Sequence, residues 1–279
     1  MKLDELKRLL SQRGITPSRK LGQNFLIDPN AQQGLVEDIA PTADEHIVEI
    51  GPGLGALTTA LLDRSARLTA IEYDRRLAAY LEETIAAQPR IELHCADAVR
   101  FDYDELTQTQ PWRCVGNLPY AASSVIVARL LDLDNPPRRC DFLLQDEMAA
   151  RIAADAGSKT YGVLSVRAQL LYHVERGRQL PPDVFWPRPQ VRSACLRLAL
   201  RPERPPVDVL NICSRLVRRG FSQRRKKLIK LLRRDWPELN LRRLLDAHQL
   251  DPAVRAEDLA PTQFLRLAED VHRATRAQT

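Results

Sequence analysis

Val48-Glu49-Ile50-Gly51-Pro52-Gly53-Leu54-Gly55 is the stretch that decides the fold class. A short apolar run ends at Ile50 and passes into a glycine-rich turn, and a helical pattern of apolar residues follows over 54–62. Glycines at such a turn let the backbone bend tightly and approach a ligand without an intervening Cβ. The turn alone is also compatible with a plain strand-to-helix connection. With its flanking elements it favours an α/β protein that binds a cofactor at its strand ends.

The glycine spacing favours a cofactor without phosphates. A dinucleotide fingerprint has the spacing G-x-G-x-x-G, whereas Gly55 comes one residue early here. Glu72 lies at the end of the next predicted strand, where an acid can accept hydrogen bonds from both ribose hydroxyls. Asp97 follows the third predicted strand and is placed to meet an adenine amino group. Either acid alone could be a solvated strand end, but the three features at successive strand ends favour S-adenosylmethionine.

Apolar runs and helical patterns alternate from about residue 44 to residue 200. This alternation predicts a mostly parallel sheet with helices on both faces. Two later strand-like segments, 172–178 and 194–200, are predicted to close the sheet as a hairpin-like edge. The predicted strands of the parallel part are 46–50, 67–73, 91–95, 112–116 and 141–144.

A proline-rich linker separates this region from a second one. Residues 201–206 contain three prolines, and only helical patterns follow them. We therefore predict an α/β domain over 1–200 and a small all-helical domain over 207–279.

The positive charge of the chain is concentrated in one segment. The formal net charge is +6, yet residues 215–234 hold ten Lys and Arg and no Asp or Glu. The rest of the chain has 32 basic and 36 acidic residues. A charge run is usually a solvated face, but ten like charges without a counter-acid inside the run favour contact with RNA phosphates.

Several classes of protein are excluded. No stretch approaches the roughly 18 apolar residues that a membrane-spanning helix needs, and the charged N-terminus is unlike a secretory signal. Five scattered cysteines without a C-x-x-C pair favour reduced thiols in the cytoplasm, and we expect no metal site. No oligomerisation signal is visible, so we expect a monomer.

The tetrapeptide Asn117-Leu118-Pro119-Tyr120 follows the fourth predicted strand and suits the methylation of an exocyclic amine. The lone pair of such an amine is delocalised into the ring. The Asn117 side-chain oxygen and the backbone carbonyl of Leu118 or Pro119 can accept the two amino hydrogens, which aims the lone pair at a methyl donor. Pro119 fixes the backbone direction, and Tyr120 offers a face on which an extruded base can stack. The alternative is an Asn-Pro turn with a buried tyrosine.

With these motifs, the chain resembles the ribosomal RNA adenine dimethyltransferases, most closely the bacterial group that acts on small-subunit (16S) RNA. The similarity extends from about residue 20 to residue 264. The motifs that carry it are Leu21-Gly22-Gln23-Asn24-Phe25-Leu26, Val48-Glu49-Ile50-Gly51-Pro52-Gly53-Leu54, Asn117-Leu118-Pro119-Tyr120, Leu144-Gln145-Asp146-Glu147, Ser158-Lys159-Thr160-Tyr161-Gly162, Phe221-Ser222-Gln223-Arg224-Arg225-Lys226 and Arg255-Ala256-Glu257.

The resemblance implies a Rossmann-like class I methyltransferase domain followed by a helical RNA-binding domain, and it implies roles for individual residues. The implied contacts of S-adenosylmethionine are Asn24 and Leu26 at the methionine end, Gly51 and Gly53 in the loop, Glu72 at the ribose, Asp97 at the adenine, and Asn117. The implied catalytic residues are Asn117, Leu118, Pro119, Tyr120 and Phe185. The RNA-binding residues that we predict come from the charge pattern of the basic segment, and they are Arg218, Arg219, Arg224, Arg225, Lys226 and Lys227.

The implied reaction is dimethylation of the 6-amino groups of two adjacent adenosines near the 3′ end of small-subunit RNA during subunit assembly. Two alternatives stay open: an assembly factor with incidental methyltransferase activity, and an adenine methyltransferase acting on large-subunit RNA or DNA. The chain departs from the common family pattern at Ala121 and Ala122, and at Arg188 and Gln190 in the proline-rich motif. Phe185 matches a residue of the target pocket, and its neighbour Trp186 competes for that role.

Overall fold

The computed structural model describes residues 3–18, 21–65, 67–85, 88–104, 111–223 and 225–276. The chain forms two compact units. Unit 1 comprises Met1–Ala149 and Glu175–Leu200, and unit 2 comprises Ala150–Val174 and Arg201–Thr279.

A seven-stranded sheet forms the centre of unit 1, and a separate two-stranded ladder lies near the N-terminus. The strands are β1 (Phe25–Leu26), β2 (His46–Ile50), β3 (Arg67–Glu72), β4 (Ile91–Cys95), β5 (Trp112–Asn117), β6 (Arg139–Gln145), β7 (Tyr172–Leu180), β8 (Phe185–Trp186) and β9 (Ser193–Leu200). The order of the large sheet is β4-β3-β2-β5-β6-β9-β7, and β1 pairs with β8. The first five strands of that order run parallel, whereas β9 is antiparallel to β6.

The described α-helices are distributed over both units. They are α1 (Leu3–Gln12), α2 (Pro29–Ile39), α3 (Thr58–Leu62), α4 (Arg75–Thr84), α5 (Ser123–Leu131), α6 (Asp146–Ile152), α7 (Val163–Leu171), α8 (Val207–Gly220), α9 (Leu228–Leu232), α10 (Leu241–Ala247) and α11 (Pro261–Arg276), with short 3₁₀ turns at Pro182–Val184 and Ala256–Asp258.

The central strands are buried on both faces, which accounts for their nearly continuous apolar composition. Every residue of 47–50, 68–72 and 112–116 is buried. Parallel strands need this covering because their crossover helices lie on both sides of the sheet. On one face, Ile47 and Leu68 pack with residues of α2, α3 and α4 in a single apolar cluster. The predicted α/β class is therefore confirmed.

The predicted strands agree with the structure at the centre of the sheet and differ at its periphery. The predictions for 46–50 and 91–95 match β2 and β4, and the predicted edge is formed by β9 and β7. The helix predicted from residue 54 begins only at Thr58, because the preceding glycine turn occupies 51–57. Strands β1 and β8 were not predicted, since two residues are too few to show an alternating pattern.

Unit 2 is held together by its own apolar core. Helix α8 buries Val209, Cys213 and Leu216 at helical spacing, and they pack with residues of α11 such as Phe264. The segment 150–174 belongs to this core, because Tyr161 is fully buried in it and donates a hydrogen bond to the Leu259 carbonyl (2.8 Å). The predicted boundary at 201–206 marks where the last part of unit 2 begins, but it leaves residues 150–174 in the first domain, whereas the structure places them in unit 2.

None of the helices in the described residues has the length and apolar composition that a membrane span requires.

A buried arginine joins three neighbouring parts of unit 1. The Arg113 guanidinium on β5 donates to Glu45 (2.6 Å), to Asp141 on β6 (2.9 Å) and to the Ile39 carbonyl. Its side chain is 3% exposed. Arg138 donates to the same Glu45 carboxylate (2.6 Å), but its side chain is 59% exposed.

We predict that Arg113→Met lowers the free energy of unfolding by about 3–5 kcal/mol. The substitution removes a positively charged hydrogen-bond donor from the buried carboxylates of Glu45 and Asp141. Arg138→Met is the matched control and should cost about 0–1 kcal/mol, since water screens the exposed pair. Urea unfolding of both variants measures the difference. Equal losses would contradict a special role for the buried arginine.

Candidate active site

A cavity of about 850 Å³ opens at the C-terminal ends of the central strands of unit 1. Its walls come from the strand ends, the turns that follow them, and the N-terminal segment around β1. This is the edge at which parallel α/β sheets bind ligands. The predicted site residues that line it are Asn24, Leu26, Gly51, Gly53, Glu72, Asp97, Asn117, Leu118, Pro119 and Tyr120.

The register of the sheet aims three polar side chains at the same face. Glu49 pairs with Ala70 on β3 and with Val115 on β5. Because side chains alternate along a strand, Glu72 and Asn117 project from the same face as Glu49. All three residues line the cavity from this face.

The glycine turn brings backbone donors to this wall. Gly51 and Gly53 have φ values of 69° and 63°, a left-handed conformation that residues with a Cβ rarely adopt. In this conformation the Gly53 N–H donates to Glu72 Oε2 (3.0 Å). The turn after β2 is thus tied to the end of β3.

Glu72 is held by a second backbone donor, the Asp74 N–H at its Oε1 (2.8 Å). Burial raises the pKa of Glu72 to about 6, and the two backbone hydrogen bonds limit that rise. Each carboxylate oxygen retains a further lone pair on the cavity side. Two fixed acceptor oxygens at this spacing suit the two hydroxyls of a ribose.

Asp97 lies two residues beyond β4 and lines the same cavity. Its Oδ1 accepts the Val99 N–H (2.9 Å), which fixes the side chain in the turn. The side chain is half-exposed, so the carboxylate can also accept a hydrogen bond from an amino group in the cavity.

Asn117 is the last residue of β5, and its side chain is oriented by the N-terminal segment. Its Nδ2 donates to the backbone carbonyl of Asn24 (3.0 Å), which leaves Oδ1 to accept another hydrogen bond. The Pro119 carbonyl accepts the N–H groups of Ala122 (3.0 Å) and Ser123 (2.9 Å) at the start of α5. Both of its lone pairs are thereby engaged, which favours the Leu118 carbonyl as the second acceptor for a target amine.

Tyr120 lines the cavity, and a hydrogen bond fixes the hydroxyl group at the end of its ring. Its Oη lies 2.7 Å from Ser193 Oγ, at the start of β9. Burial raises the pKa of Tyr120, so the phenol stays neutral. A ring anchored in this way presents a fixed surface for stacking.

Phe185 lies outside the cavity. It pairs with Leu26 across the β1–β8 ladder, is 2% exposed and packs in the apolar cluster beneath the sheet. Trp186 pairs with Phe25 and packs against the cluster that contains Leu6 and Leu10. Neither ring faces the cavity, so a contact of Phe185 with a target base stays a prediction.

The charge of the cavity favours a cation. Its described lining includes Glu49, Asp63, Glu72 and Asp97 and contains no Lys, Arg or His. A pyrophosphate would meet carboxylates here without a compensating base. S-adenosylmethionine fits better, because it carries a sulfonium and an ammonium group, a ribose and an adenine, and no phosphate.

Glu49 is a further candidate cofactor residue, for which the sequence motif alone predicts no role. It is 2% exposed and lines the cavity, and its Oε2 has no hydrogen-bond partner among the described residues. Burial, with a smaller contribution from the charge of Glu72, raises its pKa to about 7. A buried carboxylate oxygen without a hydrogen-bond partner is costly, and a bound cation would relieve that cost. An acid inside an apolar strand was the available signal.

The basic segment 215–234 in unit 2 comprises the end of α8, a turn, and α9. Although the segment itself contains no acid, Arg219 has a counter-charge just outside it, since it donates to both oxygens of Asp235 (2.6 and 2.7 Å), one residue beyond the segment. The predicted residue Arg224 lies outside the described residues. The exposed basic side chains are Arg215, Arg218, Arg225, Lys226, Lys227, Lys230, Arg233 and Arg234.

Residues 16–272 match the family model described as ribosomal RNA adenine dimethylase. The chain is similar to proteins named ribosomal RNA small subunit methyltransferase A. The relative from a Burkholderia species is 43% identical, with 92% of this chain and 93% of the relative covered. The relative from Magnetococcus marinus is 37% identical, with 94% and 95% covered.

Two solved structures have similar folds. A dimethyladenosine transferase from Plasmodium falciparum superimposes with a TM-score of 0.74 at 20% identity, and the match covers 89% of this chain and 98% of that one. The 23S rRNA methyltransferase ErmE superimposes with a TM-score of 0.68 at 28% identity, and the match covers 89% of this chain and 100% of that one.

We predict that Glu49→Gln stabilises the cofactor-free protein in a pH-dependent way. The pKa of Glu49 rises from 4.5 to about 7 on folding, so the folded state binds the proton more tightly, and wild-type stability falls as the pH rises between these values. Glu49→Gln should therefore match wild type near pH 4.5 and exceed it by roughly 3 kcal/mol at pH 8. Urea unfolding at both pH values measures this.

The same variant should bind S-adenosylmethionine more weakly at pH 8, because it lacks the carboxylate. Asp63→Asn serves as a control at an exposed acid of the same cavity, with an expected stability change within about 0.5 kcal/mol. A Glu49→Gln variant that is less stable than wild type at pH 8 would refute the argument.

Proposed function

We propose that this chain, which belongs to the ribosomal RNA adenine dimethylase family, dimethylates the 6-amino groups of two adjacent adenosines near the 3′ end of small-subunit (16S) ribosomal RNA. The observation that carries the proposal is the placement of Asn117. Its side chain shares one face of the sheet with Glu72 and Glu49, in a cavity whose charge suits S-adenosylmethionine.

The relatives support the small subunit as the substrate. The proteins that are 43% and 37% identical to this chain are named small-subunit methyltransferases. The solved structure named as a 23S rRNA methyltransferase is 28% identical. Large-subunit RNA or DNA is the second candidate substrate. Methylation assays with small subunits, large subunits and DNA distinguish the candidates.

The site residues account for the chemistry at the target amine. The Asn117 Oδ1 and the Leu118 carbonyl would accept the two amino hydrogens, which draws the nitrogen out of conjugation and directs its lone pair into the cavity. When bound, S-adenosylmethionine supplies an electrophilic methyl group on its sulfonium. The methylated amine is cationic and acidic, so solvent can take the proton and a strong general base is unnecessary.

Two further features support an extruded adenine as the target. The Tyr120 ring is fixed through Ser193 and would stack on a base that has left its helix. Glu72 and Asp97 would hold the ribose and adenine of the cofactor in a separate part of the same cavity. The target base and the cofactor then approach Asn117 from different sides.

The exposed basic residues of unit 2 would hold the RNA. Arg218, Arg225, Lys226 and Lys227 are exposed, and contacts to phosphates position a substrate without reading its sequence. Arg219 would contribute less than predicted, because Asp235 already pairs with it.

The proposal extends to the setting of the reaction. An assembling small subunit in the cytoplasm would present the single-stranded end of its RNA to a monomer of this protein. An assembly factor with incidental catalysis is less well supported, because Asn117, Glu72 and the glycine turn all line one cavity.

We predict that Asn117→Ala lowers the rate of methyl transfer by at least about 100-fold, as is typical when a group that stabilises the reacting state is removed. The assay supplies labelled S-adenosylmethionine to small subunits that lack the modification, and nucleoside analysis then identifies the product. Wild type should form 6-dimethyladenosine. Product confined to large subunits or DNA would contradict the proposal.

We predict that Lys226→Glu with Lys227→Glu weakens binding to small subunits and flattens its salt dependence. Each lost phosphate contact should reduce the slope of log affinity against log salt by roughly 0.7–0.9. Arg242→Glu with Arg243→Glu is the matched control, since both are exposed neighbours in unit 2 outside the basic segment. Equal slopes for the two double variants would count against the proposed RNA surface.

A further inference from the structure

The N-terminal segment 21–26 lies directly against the catalytic tetrapeptide. The Asn24 carbonyl accepts the Asn117 side-chain amide (3.0 Å). Gly22, with a φ of 65°, comes so close that a Cβ there would lie 3.2 Å from the Tyr120 backbone nitrogen. The orientation of the Asn117 amide therefore depends on where this segment is held.

Gln23 holds the segment by both ends of its side-chain amide. Its Oε1 accepts the Ser18 N–H (2.7 Å), and its Nε2 donates to Asp74 Oδ2 (3.0 Å). Asp74 is 7% exposed and caps α4 by accepting the Arg76 N–H at its Oδ1 (3.0 Å). The anchor on the other side of Gln23 is thus a buried, fixed carboxylate.

The same carboxylate residue is joined to the candidate ribose site. The Asp74 N–H donates to Glu72 Oε1 (2.8 Å). A continuous set of contacts therefore runs from Glu72 through Asp74, Gln23 and the Asn24 carbonyl to Asn117. It connects the two ends of the cavity that would hold the cofactor ribose and the target amine.

We propose that Gln23 is a positioning residue, which aligns Asn117 with the target amine by fixing the N-terminal segment to Asp74. This inference rests on the proposed function, because it assigns the target amine to Asn117. Gln23 does not itself contact the reacting atoms. Its loss should slow methyl transfer more than it weakens cofactor binding.

The chemistry of the contact requires a neutral amide opposite a carboxylate. Burial acts to raise the pKa of Asp74, but hydrogen bonds from Arg76 and Gln23 outweigh it and hold that pKa below its ordinary value. Gln23→Glu would set two carboxylates against each other. Asp74→Asn would set two amide groups against each other with one oxygen fewer to accept the donors.

The double variant Gln23→Glu with Asp74→Asn exchanges the donor and the acceptor of the contact, so that position 74 donates and position 23 accepts. The carboxylate introduced at position 23 would accept the Ser18 N–H and the amide introduced at position 74, whose oxygen still accepts the Arg76 N–H. The swap gives up one contact, because the Arg76 guanidinium donates to the same Asp74 Oδ2 that Gln23 contacts (3.2 Å), and the new carboxylate at position 23 is then the nearby acceptor for it. Each single variant should slow single-turnover methyl transfer by about tenfold or more, since small misplacements of a reacting group are costly. The double variant should recover to within about threefold of wild type, as expected for directly coupled residues.

The double variant conserves the charge of the pair, so its affinity for S-adenosylmethionine, measured by calorimetry, should stay within about threefold of wild type. In each single variant, the single-turnover rate at saturating S-adenosylmethionine should fall by a larger factor than the affinity changes. The matched control is the exposed pair Gln33 and Glu37 on α2, whose side chains share the same kind of hydrogen bond (2.9 Å). Gln33→Glu and Glu37→Gln should leave the rate unchanged.

A second readout separates this inference from the proposed function. The nuclear magnetic resonance signals of the Asn117 side-chain amide should shift in each single variant and return in the double variant, whatever the substrate. Single variants with wild-type signals and rates would overturn the inference, as would a double variant no better than the worse single one. Signals that shift and return as expected, in a protein whose wild type does not methylate small subunits, would overturn the proposed function alone.

Discussion

The site is organised around the buried carboxylate of Glu72 and the two backbone N–H groups that it accepts. One donor belongs to the glycine turn after β2, and the other to the residue that caps α4. A single side chain thus joins the end of β3 to the two segments that border the cavity. Burial raises the pKa of the carboxylate to about 6, because the ionised form is less stable in the folded protein than in water. A ligand with hydroxyl groups and positive charge is the natural complement.

Charge is divided between the two units in a way that the average of +6 conceals. The cavity of unit 1 has acidic residues and no basic residue in its described lining, whereas the exposed basic side chains of 215–234 belong to unit 2. The first arrangement suits a cationic cofactor, and the second suits a polyanion. Because the opposed charges lie on different surfaces, a cationic cofactor and a polyanion would each be attracted to a different part of the chain.

The sequence was most informative where local chemistry and the fold require the same residues. The turn at Gly51 and Gly53 was predictable because it needs left-handed backbone, and Glu72 and Asp97 because acids at successive strand ends are unusual in apolar surroundings. An acid inside an apolar strand marked Glu49 as unusual, but only the register of β2 with β3 and β5 shows that it faces the cavity. The roles of Asp74 and Asp235 were not predictable, because they depend on contacts with Gln23 and Arg219, which lie 51 and 16 residues away in the sequence. For the same reason the transfer of 150–174 to unit 2 could not be predicted, because it depends on which core accepts Tyr161.

We propose that the cavity binds S-adenosylmethionine with its ribose on Glu72 and its sulfonium end toward Asn117. A crystal structure of the protein with S-adenosylhomocysteine, the demethylated product, tests this most directly. We expect both ribose hydroxyls at about 3 Å from the Glu72 carboxylate oxygens, the adenine amino group at Asp97, and the sulfur nearest to Asn117. A ligand bound in the reverse direction, or outside this cavity, would contradict it.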